Sequence, residues 1–165
     1  MHTRYSRSAF LCFLISLFLC VQTVSYAVAQ TNQNPSAESV YHAQKVAASC
    51  LNKQWTAPLC LKNLSESALV LSANYAGVLE SKGMIGPIEQ IKQNCAAASA
   101  GTQGDYPAYA LTSAFTQCAN MIFDVSEQTY IKPDLSHYQI LVGSILCLSR
   151  DPRCTSIEQQ LKAYQ

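Results

Sequence analysis

Apolar side chains along this chain recur at intervals of three and four residues, the period of one face of an α-helix, and no stretch reads as a convincing strand. The first run follows Ser36, a good N-cap with Glu38 in the positive first turn, and sets Val40, Ala43, Ala47 and Cys50 on one side. The second helix is predicted to begin near Thr56, which can cap it, with Pro58 in the first turn where a missing N–H does no harm. Its stripe is Leu61, Leu64, Ala68, Leu71, Tyr75 and Val78. Leu69, Val70 and Leu79 widen it, so this helix should be the most buried. Lys82 suits the negative end, and Gly83 offers the left-handed residue that closes many helices.

The third helix opens at Gly86-Pro87 and carries Ile88, Ile91, Cys95 and Ala98 on one face. A loop is expected from Ala100 to Gly104, where glycines and polar residues cluster. Asp105 is the expected cap of the fourth helix, with Pro107 in its first turn and a stripe of Ala108, Leu111, Phe115, Cys118, Ile122 and Val125. Lys132-Pro133-Asp134 is a stop and restart. The fifth helix should bury a set drawn from Leu135, Tyr138, Leu141, Val142, Ile145 and Leu146. Asp151-Pro152 interrupts it, and a short terminal helix can place Ile157, Leu161 and Tyr164 together. There is no fixed internal repeat. The predicted fold class is all-α, a small disulfide-stapled helical bundle of about five helices.

The N-terminus has a different character. Arg4 and Arg7 precede an apolar core from Ala9 to Val21, and Ala27-Val28-Ala29 puts small side chains where a signal peptidase reads them. The apolar run meets Gln22 and Thr23 before reaching the roughly 20 residues a membrane span needs. Leu17-Phe18-Leu19-Cys20 fails as a lipoprotein signal because Leu19 is large. Residues 1–29 are therefore predicted to be a cleaved signal peptide, 30–35 a polar leader and 36–165 a single helical domain. A retained anchor is the alternative. After processing no stable membrane span remains, and the chain is expected in a bacterial periplasm or secreted.

Composition narrows the classes further. With 49% hydrophobic and 13% charged residues, the chain is no disordered polymer. Loss of Arg4 and Arg7 takes the 11 Lys+Arg to nine against 10 Asp+Glu, and the formal charge from +1 to −1. Such scattered charges make no phosphate-binding surface, so nucleic acid is not expected as a partner. Cys12 and Cys20 leave with the signal, and six of the eight cysteines remain: Cys50, Cys60, Cys95, Cys118, Cys147 and Cys154. An even number in an exported chain reads as three disulfides, although six cysteines allow 15 pairings. Zinc needs clustered ligands such as a CxxC pair, which this chain lacks, so no metal and no cofactor is expected. Cys50 ends one helix as Cys60 starts the next, and Cys147 and Cys154 flank the Asp151-Pro152 break. Cys95 and Cys118 are left to link the third and fourth helices. Sequential pairing is the expectation.

Two cysteine segments carry short resemblances. Cys50-Leu-Asn-Lys-Gln-Trp-Thr-Ala-Pro-Leu-Cys60-Leu resembles the first cysteine hairpin of the plant invertase and pectin-methylesterase inhibitor family, which are secreted four-helix bundles. The later cysteine spacing departs from that family, which has no counterpart of the C-terminal pair. Ile145-Leu146-Cys147-Leu148-Ser149 with Cys154 is similar to a fragment of TrbM-type conjugal-transfer proteins, where it would stand early in the mature chain rather than at its end. Neither resemblance transfers a functional residue.

Catalytic signals are sparse. A serine hydrolase could recruit His42 or His137, but no G-x-S-x-G elbow accompanies them, and both histidines are expected at the surface or its boundary. The even cysteine count argues against a free thiol nucleophile. Glu80, Glu89, Asp124 and Glu127 read as a solvated face rather than an acid–base pair. Gly101-Thr-Gln-Gly104 lacks the residues of a phosphate loop, and the Asn63-Leu64-Ser65 sequon falls inside a helix. No catalytic centre is evident, and the expected function is that of an exported binding protein with a protein partner. The alternatives are an inhibitor or immunity-type protein, a component of an envelope secretion or conjugation apparatus, or an enzyme using His42 or His137.

Overall fold

A computed structural model describes residues 35–165 except 53 and 105; the predicted signal peptide and most of the leader lie outside the described residues. Six α-helices follow in order: α1 Ala37–Cys50, α2 Pro58–Ser81, α3 Gly86–Ala96, α4 Ala108–Thr129, α5 Leu135–Leu148 and α6 Cys154–Leu161. Two 3-10 segments, Ala97–Gln103 and Lys162–Tyr164, complete the order, and no strand forms among the described residues. The all-α expectation holds.

Helix ends show which local rules won. Ser36 caps α1 by accepting the Ser39 N–H at 3.1 Å, while the Ser39 hydroxyl donates back to the Ser36 carbonyl at 2.9 Å. The cap of α2 is Ala57 rather than Thr56: its extended ψ of 141° feeds Pro58 into the first turn, and no side chain accepts an N–H. Proline's fixed φ starts the helix without a polar cap. The far end closes as expected, with Gly83 at φ 75°, its N–H on Glu80 O (2.9 Å) and the Met84 N–H on Leu79 O (2.9 Å).

The loop expected at Ala100–Gly104 is instead mostly helical. α3 tightens into 3-10 turns through Gln103 and stops only at Gly104, φ 98°. Gly101 is buried in that segment because it lies against α2: a Cβ there would overlap Ser65 Oγ and come within 3.1 Å of Leu111 Cδ1. Pro107, not an acidic side chain, occupies the cap position of α4, and Asp105 lies outside the described residues. Asp134 caps α5, accepting the His137 N–H at 2.9 Å.

The core gathers Leu64, Leu71, Tyr75 and Leu79 of α2, Ile91 of α3, and Leu111, Phe115, Ile122 and Val125 of α4, all buried. Val78 departs from its predicted stripe and is exposed, because Leu79, four residues after Tyr75, takes the core position. Within α5 only Leu141 of the predicted set is fully buried; Leu135, Tyr138, Val142, Ile145 and Leu146 are half-buried. The buried line is His137, Leu141, Ser144 and Cys147, so a partly polar face turns inward. Disulfides join Cys50 to Cys60, Cys95 to Cys118 and Cys147 to Cys154, the sequential pairing. They bridge α1 to α2, α3 to α4 and α5 to α6. Trp55, buried in the first of these connections, donates its indole N–H to Glu158 of α6 at 2.9 Å and ties the two ends of the domain together.

Candidate functional site

Three helices bring polar side chains to one buried seam. α1 turns Ser39, His42 and Ser49 inward, α2 contributes Asn63 and Ser67, and α5 contributes His137 and Ser144. The His42 and His137 rings stack, with centroids 5.0 Å apart and planes 20° from parallel. Ser67 Oγ lies 2.9 Å from His137 Nε2, and the Tyr41 ring meets His42 edge-on at 5.4 Å. At the rim Lys45 forms an ion pair with Glu66, and Glu38 accepts the Asn74 amide. The expectation that both histidines lie at the surface or its boundary is wrong: His42 is 5% exposed and His137 1%. His137 enters the core with Ser67 Oγ as its partner, whereas His42 is held by ring packing against His137 and Tyr41 and its buried Nδ1 has no hydrogen-bond partner among the described residues. Replacing either histidine is therefore a core substitution.

Burial sets the electrostatics. It lowers the His42 pKa, helped by the Lys45 charge and opposed by Glu38 and Glu66. His137 falls to about 4, first through burial and then through the His42 charge, against the pull of Asp134 and Glu38. The Lys45 hydrogen bond holds Glu66 below the usual carboxylate range. Burial pushes Asp134 up, but hydrogen bonds from Ser36 and from the His137 N–H outweigh it and leave its pKa lowered. Both imidazoles are neutral at pH 7.

Ser67 and His137 have the spacing of a hydroxyl and its general base. Both are closed off, at 2% and 1% exposure, and Asp134 Oδ1 engages the main-chain N–H of His137. No substrate carbonyl reaches Ser67 in this conformation. The other sequence candidates separate. All six cysteines are bonded, and Glu127 pairs with Lys132. Asn63 is buried, its amide donating to Ser49 Oγ at 2.9 Å, which closes the sequon to modification in the folded chain. Among the described residues no group of three or more His, Cys, Asp or Glu could hold a metal, and no helix is long and apolar enough to cross a membrane.

Glu80 and Glu89 do come together, on opposite walls of an open groove of about 650 Å³ between α2 and α3. The α2 wall presents Leu69, Ala73, Ala76 and Gly77; the α3 wall presents Ile85, Ile88, Lys92 and Ala96. Gly77 faces open space, and Ile85, with helical dihedrals just ahead of α3, is 72% exposed. Met84 and Val78, nearby in sequence, are exposed as well. Small residues on one wall and a projecting isoleucine on the other form an apolar concavity with charges along it. The heptad-like spacings 69-73-76-80 and 85-89-92-96 were the available signal for it, and they lay outside the main stripes.

The fold and site define a disulfide-stapled, six-helix domain with an open helix–helix groove and a buried histidine pair. No family model matches the chain, and no curated protein or solved structure does, so the two short cysteine-segment resemblances do not extend to a family.

Proposed function

We propose that this chain is an exported binding protein that receives an amphipathic helix of a protein partner in the α2–α3 groove. The observation that carries the reading is the groove itself: apolar, lined by Ala73, Ala76 and Gly77, and flanked by an isoleucine that no neighbour covers. An exposed apolar concavity rimmed by charge is a common mark of a protein-binding surface. Three disulfides fit an oxidising compartment, in agreement with the signal peptide expected at residues 1–29. Export to a bacterial periplasm or beyond the cell is part of the proposal. A groove walled by two helices favours contact through a helix face, as in an envelope apparatus component, over the inserted loop of an inhibitor.

The buried Ser67–His137 pair supports the enzyme reading less well, because that chemistry would need the bundle to open. Affinity capture from the native envelope with the processed protein as bait separates the two. Ile85→Asp should lose the captured partner, whereas Ser67→Ala should retain it. Capture unaffected by Ile85→Asp removes the groove from the account. An activity that disappears in a normally folded Ser67→Ala protein replaces the binding reading with the enzymatic one.

A further inference from the structure

We propose that the helix received by the groove is α3 of a second copy of this chain, laid antiparallel to the first. The inference rests on reading the groove as a helix-binding surface and adds the identity of the occupant. Its basis is a seam that complements itself. Ile85, Glu89, Lys92 and Ala96 line the groove at spacings of four, three and four residues, the repeat that keeps one helix edge facing a neighbour.

All four side chains are exposed. About a two-fold axis passing between Gln90 and Ile91, Ile85 falls opposite the partner's Ala96, and Glu89 falls opposite the partner's Lys92. The same two pairings then recur on the other side of the axis, as an isologous interface requires. Each contact matches: a large side chain over a small one, and an acid against a base. Among the described residues Lys92 makes no ion pair, and Glu89 makes only a 3.2 Å hydrogen bond with Gln93, one turn along. Both charges are available to a second chain. In the α2–α3 hairpin, the end of the groove at Ala96 is the one walled by Leu69 and Ala73, so the partner's Ile85 meets apolar surface there.

The two neighbouring registers fail this test. Sliding the partner helix by about one turn sets Glu89 against the partner's Glu89, or Lys92 against the partner's Lys92, and like charges in contact oppose association. The complementarity thus selects one register as well as one partner.

Sedimentation equilibrium of the processed protein at low salt tests the proposal through charge reversal at two exposed positions. The wild type should self-associate. Glu89→Lys alone places Lys against the partner's Lys92 twice, and Lys92→Glu alone places Glu against the partner's Glu89 twice, so each should weaken association by at least about tenfold. An equimolar mixture of the two variants restores opposite charges at every contact and should re-form a dimer, as should the double variant carrying both changes. A wild type that stays monomeric, reversals that leave association unchanged, or a mixture that stays dissociated each overturns the proposal. If the wild type is monomeric while a different protein is captured in an Ile85-dependent way, the helix-binding reading stands and the second copy is the wrong occupant.

Discussion

Acidification should loosen this bundle through its two buried histidines. Folded, His137 has a pKa of about 4 and His42 lies below its ordinary value; unfolded, each titrates near 6.5. As the pH falls below about 6.5, the unfolded chain takes up protons that the folded chain does not bind. Stability therefore falls with pH, and the loss is complete near the folded value of about 4. For His137 alone, the shift from 6.5 to about 4 amounts to about 3 kcal/mol at about 1.4 kcal/mol per unit. His42 adds to this with the same sign. A small domain has only about 5–15 kcal/mol in total, so the effect is large enough to measure.

Glu66, Asp134 and Asp151 are also lowered, and a depressed carboxylate starts to lose its contribution as the pH falls toward its unfolded value, 4.5 for Glu66 and 3.8 for the two aspartates. Above about pH 5 the slope therefore belongs to the histidines. Urea unfolding with disulfides intact, repeated between pH 7.5 and 4, reads the slope. His137→Gln keeps an amide toward Ser67 without a titrating proton and should flatten most of it; His42→Gln with His137→Gln should flatten the rest. A wild-type stability that is level or rises with acid over this range would refute the reasoning, as would a double variant with an unchanged slope.

Phe115→Ala should cost about 3–5 kcal/mol and Leu71→Ala about 2–5, because both side chains are fully buried; thermal melts of the purified variants check this. Gly101→Ala should destabilise by about 1–3 kcal/mol through overlap with Ser65, and adding Ser65→Ala should recover part of that loss. Ser65→Ala alone should be neutral or stabilising, since its buried hydroxyl has no hydrogen-bond partner among the described residues; the same melts decide it. Cys50, Cys60, Cys95, Cys118, Cys147 and Cys154 should resist alkylation until reduced, and mass-spectrometric peptide mapping should return the three sequential pairs.

The helices and their bridges were legible because their signals are local. Apolar spacing, Pro58, Gly83 and Asp134 act within a turn or two of where they sit, and cysteines at adjoining helix ends restrict one another. The histidine pair was not legible for the opposite reason. Ser39, His42, Val46 and Ser49 share one face of α1, as His137, Leu141, Ser144 and Cys147 share one of α5, but periodicity searches count apolar residues and pass over a polar seam. What buries these side chains is the arrival of Ser67 and the other histidine from distant helices, which no local pattern contains. The 3-10 segment was missed because glycine reads as a breaker, whereas Gly101 serves close approach to α2. The groove was half visible: Glu80 and Glu89 looked like scattered acids until α2 and α3 folded back and set them on facing walls.

Site-specific photo-crosslinking in the native envelope tests the groove most directly. A photoreactive residue at position 85 probes its rim, and one at position 160 on α6 probes exposed surface on a helix that does not contribute to the groove. The account predicts a protein adduct from position 85, with the mass of two copies of the processed chain, and none from position 160. The absence of any protein adduct at position 85, or equal labelling from the two positions, would contradict it.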